Sequence, residues 1–213
     1  MINKNRKKIT MKQVMNTRFA ALALVAAVAA TLTGCAPLVT QSPNEGWRPV
    51  NVKSVDGAER LLLDGYDVVG MLTDKQARVG DPKIRSVYKS VTLYFSSAEN
   101  KTKFDAKPLD YLPQYGGYCS NGMSFAIPWG GDGDTFRVEN GKLYIFGGID
   151  SKKAFELDVP GNIALADKYW KDEVEGSNAF FQRVKRTTYN KVPHYKNGAE
   201  LAAAVAAAEK KGK

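Results

Sequence analysis

Along this chain the hydrophobic positions change character several times. From Phe19 to Thr31 the residues are almost all apolar. That run is too short for a bilayer, which takes about 20 residues, and it has the form of a signal-peptide core. Leu61-Leu62-Leu63 is a brief apolar run stopped by Asp64-Gly65. Residues 84–88 and 91–95 are rich in β-branched and aromatic types around Lys89-Ser90, which predicts a hairpin. Ser96 and Glu99, three apart, predict a capping box opening a helix to about Ala106, which Pro108 stops; a helical turn to Leu112 follows. Residues 135–139 and 143–146 flank Asn140-Gly141, a pair suited to a turn in which both central positions take positive φ. Asp150 or Ser151 can cap a helix to about Asp158, and Pro160 suits the first turn of another reaching about Val174, with Tyr169 and Trp170 turned inward. Past Gly176, Phe180 and Phe181 are available to a core. Residues 198–213 form an Ala-rich helix expected to fray or project. No internal repeat is read. The pattern predicts an α+β fold of short antiparallel β-hairpins packed with helices, followed by a C-terminal helical extension.

Composition changes this picture in one place. The chain of 213 residues carries 31 Lys plus Arg against 22 Asp plus Glu, a net charge of +9. Lys4, Arg6, Lys7, Lys8, Lys12 and Arg18 precede the apolar run without a single acid, so residues from 35 on are close to neutral. The basic excess belongs to an export signal, and nucleic-acid binding loses its support. Met11 and Met15 are alternative starts. One histidine excludes a His-rich zinc site, and two cysteines exclude a zinc ribbon or a disulfide framework.

The apolar run ends in Leu32-Thr33-Gly34-Cys35, which resembles the lipobox of bacterial lipoproteins. That resemblance implies cleavage before Cys35, its acylation, and a membrane anchor without a transmembrane helix. Several acyl chains at about 0.8 kcal/mol per buried CH₂ hold such an anchor stably. Ala36, in place of Asp, implies sorting to the outer membrane, facing the periplasm. The expected layout is a signal peptide over 1–34, a Pro- and Gly-containing tether over 35–50 with Trp47 able to close onto the domain, a domain over 51–175, and a basic, Ala-rich extension over 176–213. Acylation leaves Cys119 as the single thiol of the exported part.

Several blocks then resemble exported YHS-domain proteins: Gly65-Tyr66-Asp67-Val68-Val69-Gly70, Tyr94 to Asn100 with Phe104 and Pro108, and Gln114-Tyr115-Gly116-Gly117-Tyr118-Cys119. The resemblance continues through Asn140-Gly141-Lys142-Leu143-Tyr144 and Asp158 to Ile163, covering about residues 60–172. It implies a small YHS-like fold. The wider superfamily is proposed to bind transition metals through three cysteines, and soft thiolates suit that chemistry. Here Asp67-Val68-Val69-Gly70-Met71 and Phe95-Ser96-Ser97-Ala98-Glu99-Asn100 carry no cysteine.

What remains for chemistry is Cys119. The expected site groups it with Asp67 and Tyr115 as ligands for copper or iron, and with Tyr66, Gly116, Gly117 and Tyr118 nearby; the paired glycines permit close backbone approach. A buried structural thiol is the competing reading of Cys119, as a hydrogen-bonded core residue is of Tyr115 and Tyr118, and a cap or turn acceptor of Asp67. Asp132-Gly133-Asp134 reads as a solvated loop, since a calcium loop would need its terminal Glu. His194 reads as exposed, and residues 183–196 as a solvated basic face. No acid-base pair falls in a catalytic spacing. The expectation is a lipid-anchored, non-catalytic envelope binding protein, its partners being the membrane through the lipid and a metal ion or envelope protein, with no nucleic acid. The alternatives are a metal-free interaction or scaffold module and a thiol redox protein.

Overall fold

The structure, a computed structural model, describes residues 49–55 and 59–212; the expected signal peptide, Cys35 and most of the expected tether with Trp47 lie outside the described residues. The fold is α+β, as the patterning predicts. A four-stranded sheet takes β1 (Val52–Val55), β2 (Glu59–Leu62), β3 (Asp81–Tyr88) and β4 (Val91–Phe95) in the order β1-β2-β4-β3, and β5 (Asp132–Glu139) pairs with β6 (Lys142–Phe146) in a second sheet. Both predicted hairpins form with antiparallel registers. The first sheet is nonetheless mixed, because β2 pairs with β4 in parallel.

Helices fill the connections: α1 (Val68–Thr73), α2 (Ala98–Ala106), α3 (Pro108–Tyr111), α4 (Ser120–Met123), α5 (Ile149–Glu156), α6 (Val159–Tyr169), α7 (Ala179–Thr187) and α8 (Gly198–Lys211). A π turn carries α6 on to Val174. Asn140 and Gly141 take φ of 49° and 72°, as their turn requires. Lys89 and Ser90 also take positive φ, without a glycine to ease it. The capping residue of α2 is Ser97, which accepts from Asn100 N–H, and not Ser96. Ser96 is diverted because its hydroxyl and its N–H both donate to Asp67. Gly148 precedes α5 where Asp150 or Ser151 was expected.

The sequence hides a repeat that the fold exposes. Strand, strand and helix begin at 81, 91 and 98 in the first unit and at 132, 142 and 149 in the second, a constant shift of 51 residues. Even the register irregularity recurs, between Asp81 and Arg85 and between Asp132 and Phe136. Phe95 meets Phe104 with ring centroids 5.2 Å apart, and Phe146 meets Phe155 at 5.2 Å. Gly80 and Gly131 are also equivalent. A Cβ on either would stand 2.5 Å from backbone atoms, of Tyr94 and Phe95 in one case and of Gly117 in the other. Asp132-Gly133-Asp134 is therefore the start of a strand, not a loop, with Gly133 pressed against the Tyr66 ring.

Two main cores form, the first of them shared by both units because Leu143 and Ile145 of β6 enter it. Leu62, Val69, Phe95, Phe104 and Ile145 anchor the first, and Tyr118, Phe146, Phe155, Ala166 and Val174 the second. Each fully buried Phe or Leu is worth about 1.5–3 kcal/mol. A third cluster joins Phe125, Ala126 and Ile127 to Val192, with Tyr195 and Leu201 against it, so the C-terminal extension packs on the domain. His194 is part of that contact and not an exposed residue. Its ring stacks on Phe125 and Tyr169, and its Nε2–H donates to the Ser124 carbonyl at 2.8 Å. The basic stretch is likewise engaged in part: Arg186, Lys185 and Gln182 converge on Glu173. Burial alone would raise the Glu173 carboxyl, but the Arg186, Lys185 and Gln182 donors outweigh it and hold the group below the usual carboxylate range. Far from projecting, α8 ties back to α5 through Lys153 and Glu209 at 3.0 Å.

Candidate binding site

Two structural nodes occupy matching places in the two units. In the first, Asp67 caps α1, and its backbone N–H donates to the Arg78 carbonyl at 2.9 Å. In the second, Cys119 precedes α4, and its N–H donates to the Trp129 carbonyl at 2.9 Å. Arg78 and Trp129 obey the same 51-residue shift, whereas Asp67 and Cys119, with the helices they precede, are 52 residues apart.

The nodes differ in what fills them. Asp67 is fully buried, and its carboxylate accepts from Val69 N–H, Gly70 N–H, Ser96 N–H, Ser96 O–H and the Asn100 amide, all between 2.6 and 3.1 Å. A carboxylate offers about four lone-pair positions, so five donors saturate it. At the positions matching Ser96 and Asn100 the second unit has Gly147 and Ser151. Among the described residues Cys119 hydrogen-bonds one polar side chain, Ser151, with Sγ and Oγ 3.0 Å apart. Smaller side chains around a smaller capping residue leave space, and a cavity of about 250 Å³ lies there. Its walls include Cys119, Ser151, Phe125, Ile127, Trp129 and Tyr195.

The structure disperses the expected site. Asp67 is committed to the first node and shares no hydrogen-bond partner with Cys119 among the described residues. Tyr115 takes φ of 55° and donates its hydroxyl to Asp167 at 2.8 Å. Burial, then the hydrogen bond and charge of Asp167, push its phenol well above the ordinary value. Tyr118 is fully buried and donates to the Val50 carbonyl at 3.2 Å. Tyr66 packs on Gly133 and bridges to Val79. Gly116 and Gly117 do serve a close approach, but to the chain itself. A Cβ on Gly116 would stand 2.3 Å from the Pro49 carbonyl, Asn51 N–H donates to Gly116 O, and the Asn51 amide reaches Gly117 O and Gly131 O. No group of three or more His, Cys, Asp or Glu side chains positioned for a metal occurs among the described residues. Of the expected residues Cys119 alone lines the cavity. Ser151, Asn121, Trp129, Phe125 and Tyr195 were missed; the signal for Ser151 lay in the repeat, through Gly80-Asp81 and Gly131-Asp132, Phe95 and Phe146, and Phe104 and Phe155.

No family model matches the chain, and neither the curated proteins nor the solved structures contain a match to it. The resemblance to YHS-domain proteins therefore rests on its residue blocks. No helix among the described residues is long and apolar enough to cross a membrane.

Proposed function

We propose that this chain is a lipid-anchored cell-envelope protein of the YHS type that binds a small ligand, without turnover, in the cavity floored by Cys119. One observation carries the reading: the second unit repeats a node that is saturated in the first, yet at the matching positions it replaces Asp, Ser and Asn by Cys, Gly and Ser, leaving a cavity where the first unit has a hydrogen-bond network. The lipobox-like Leu32-Thr33-Gly34-Cys35 supports the anchor, and Ala36 supports the outer membrane. A cavity with aromatic walls and a few polar groups has the make-up of a ligand site. With Asp67 and Tyr115 committed elsewhere, a metal would have to be held by Cys119 with other donors, and an organic ligand fits the walls better.

The test is native mass spectrometry with elemental analysis of the protein purified from its own envelope, compared with Ser151→Phe, which fills the cavity. A bound mass present in the parent and missing from the variant is expected, with elemental analysis separating metal from organic ligand. Parent and variant both free of any bound mass or metal would overturn the reading.

A further inference from the structure

Beside Cys119 stands a side-chain amide that no group among the described residues hydrogen-bonds. Asn121 is only 6% exposed, and its side-chain amide has no hydrogen-bond partner among the described residues, although its carbonyl accepts from Ser124. Asn121 lines the Cys119 cavity and also a second one of about 510 Å³ between α5 and α8. Ser151, Gly198 and Leu201 line both as well, so the two adjoin across these residues.

The second cavity has an apolar wall along α8. Ala154 on α5 faces Leu201, Ala202, Val205 and Ala206 on α8, which has no buried residue of its own. From Gly198 to Glu209 the helix runs about 16 Å at 1.5 Å per residue. Asp150 and Glu209 sit along the second cavity, whereas Lys196 lines the Cys119 end and forms no ion pair among the described residues. Lys153, the cation of the second cavity, is already engaged by Glu209.

Resting on the reading that the Cys119 cavity binds a ligand, we infer that the ligand is a single-chain amphiphile with an anionic head. The Asn121 amide and the Ser151 hydroxyl bond the head, Lys196 balances its charge, and the alkyl chain lies between α5 and α8. The small side chains of α8 leave room for an aliphatic tail.

The experiment titrates the full-length chain carrying Cys35→Ser, so that no acyl chain of its own competes, with dodecanoate and with uncharged dodecanol, read by displacement of a fluorescent fatty acid and by calorimetry. Saturable 1:1 binding of dodecanoate is expected. Ala202→Phe and Ala206→Phe, which block the groove at separate places, should each weaken it at least tenfold, and Lys196→Glu several-fold with little effect on dodecanol. Near-ultraviolet circular dichroism checks that each variant is folded. Absence of saturable dodecanoate binding, or binding indifferent to both groove variants, overturns the inference. If the envelope-purified protein still carries a mass that Ser151→Phe loses, the failure belongs to the ligand class and not to the cavity.

Discussion

Asp67 and Cys119 show how one backbone position can be put to two uses. Both begin a short helix, and both anchor the following loop by donating a backbone N–H across it. The carboxylate is locked by five donors, each hydrogen bond to a charged group being worth about 1.5–3 kcal/mol, though not additively. Removing it would leave those donors buried and unpaired. Asp67→Ala is therefore expected to cost at least about 3 kcal/mol in urea unfolding, whereas Cys119→Ser, a near-isosteric exchange that can keep the contact with Ser151, should cost no more than about 1 kcal/mol. Equal losses would mean that Cys119 is as structural as Asp67. The residue types at these positions were legible from the sequence, including the reading of Asp67 as a cap. Their partners were not, because Ser96, Asn100 and Ser151 lie about 30 residues away along the chain and are brought up only by hairpin closure.

At the scale of elements, the turn Gln114–Gly117 is pinned from two sides, by the segment around Val50 and by α6. Tyr115 contacts Tyr144 and Trp170 at centroid distances of 6.0 Å and donates to Asp167 on α6. Burial first, and then the Asp167 and Glu139 charges, push the Tyr144 phenol up to about 12, and Tyr115 moves in the same direction. A phenol whose folded pKa is raised contributes stability that is whole below its unfolded value of about 10 and is lost as pH climbs through the folded value. Stability should thus fall between about pH 10 and 12, and Tyr144→Phe should flatten that fall, which denaturant unfolding at stepped pH would measure. An unchanged slope would contradict the burial assigned to this phenol. Hairpins and most helix boundaries were readable because their signals are local: alternation, Asn140-Gly141, and Pro108 and Pro160. The parallel pairing of β2 with β4 was not, since nothing local in Glu59–Leu62 names its partner.

For the whole molecule, the repeat explains both the architecture and the site. Two hairpin-helix units each bury a Phe pair at the same 5.2 Å centroid spacing, and the second adds α6 to α8, whose last segment closes over the Cys119 side. The repeat escaped notice because few residues are shared between the units; the fold needs the glycine before each first strand and the paired Phe, and tolerates nearly anything between. The extension was misread for a related reason. An Ala-rich helix ending in lysines carries little hydrophobic signal, and its docking depends on Tyr195, Leu201 and the Lys153–Glu209 pair, which only the fold brings together.

The central claim, that Cys119 floors a cavity open to small molecules, meets its most direct test in thiol chemistry. Full-length chain carrying Cys35→Ser has one thiol, and its native-state modification can be followed with a small neutral reagent, methyl methanethiosulfonate, and with the bulky, charged dithionitrobenzoate. Cys119 is only 3% exposed, yet it borders a cavity of about 250 Å³. The account predicts rapid reaction with the small reagent at a rate insensitive to low urea, and reaction with the bulky one only as the protein unfolds. Modification by both reagents at the rate of global unfolding would contradict it, and would leave Cys119 a structural thiol in an interaction module.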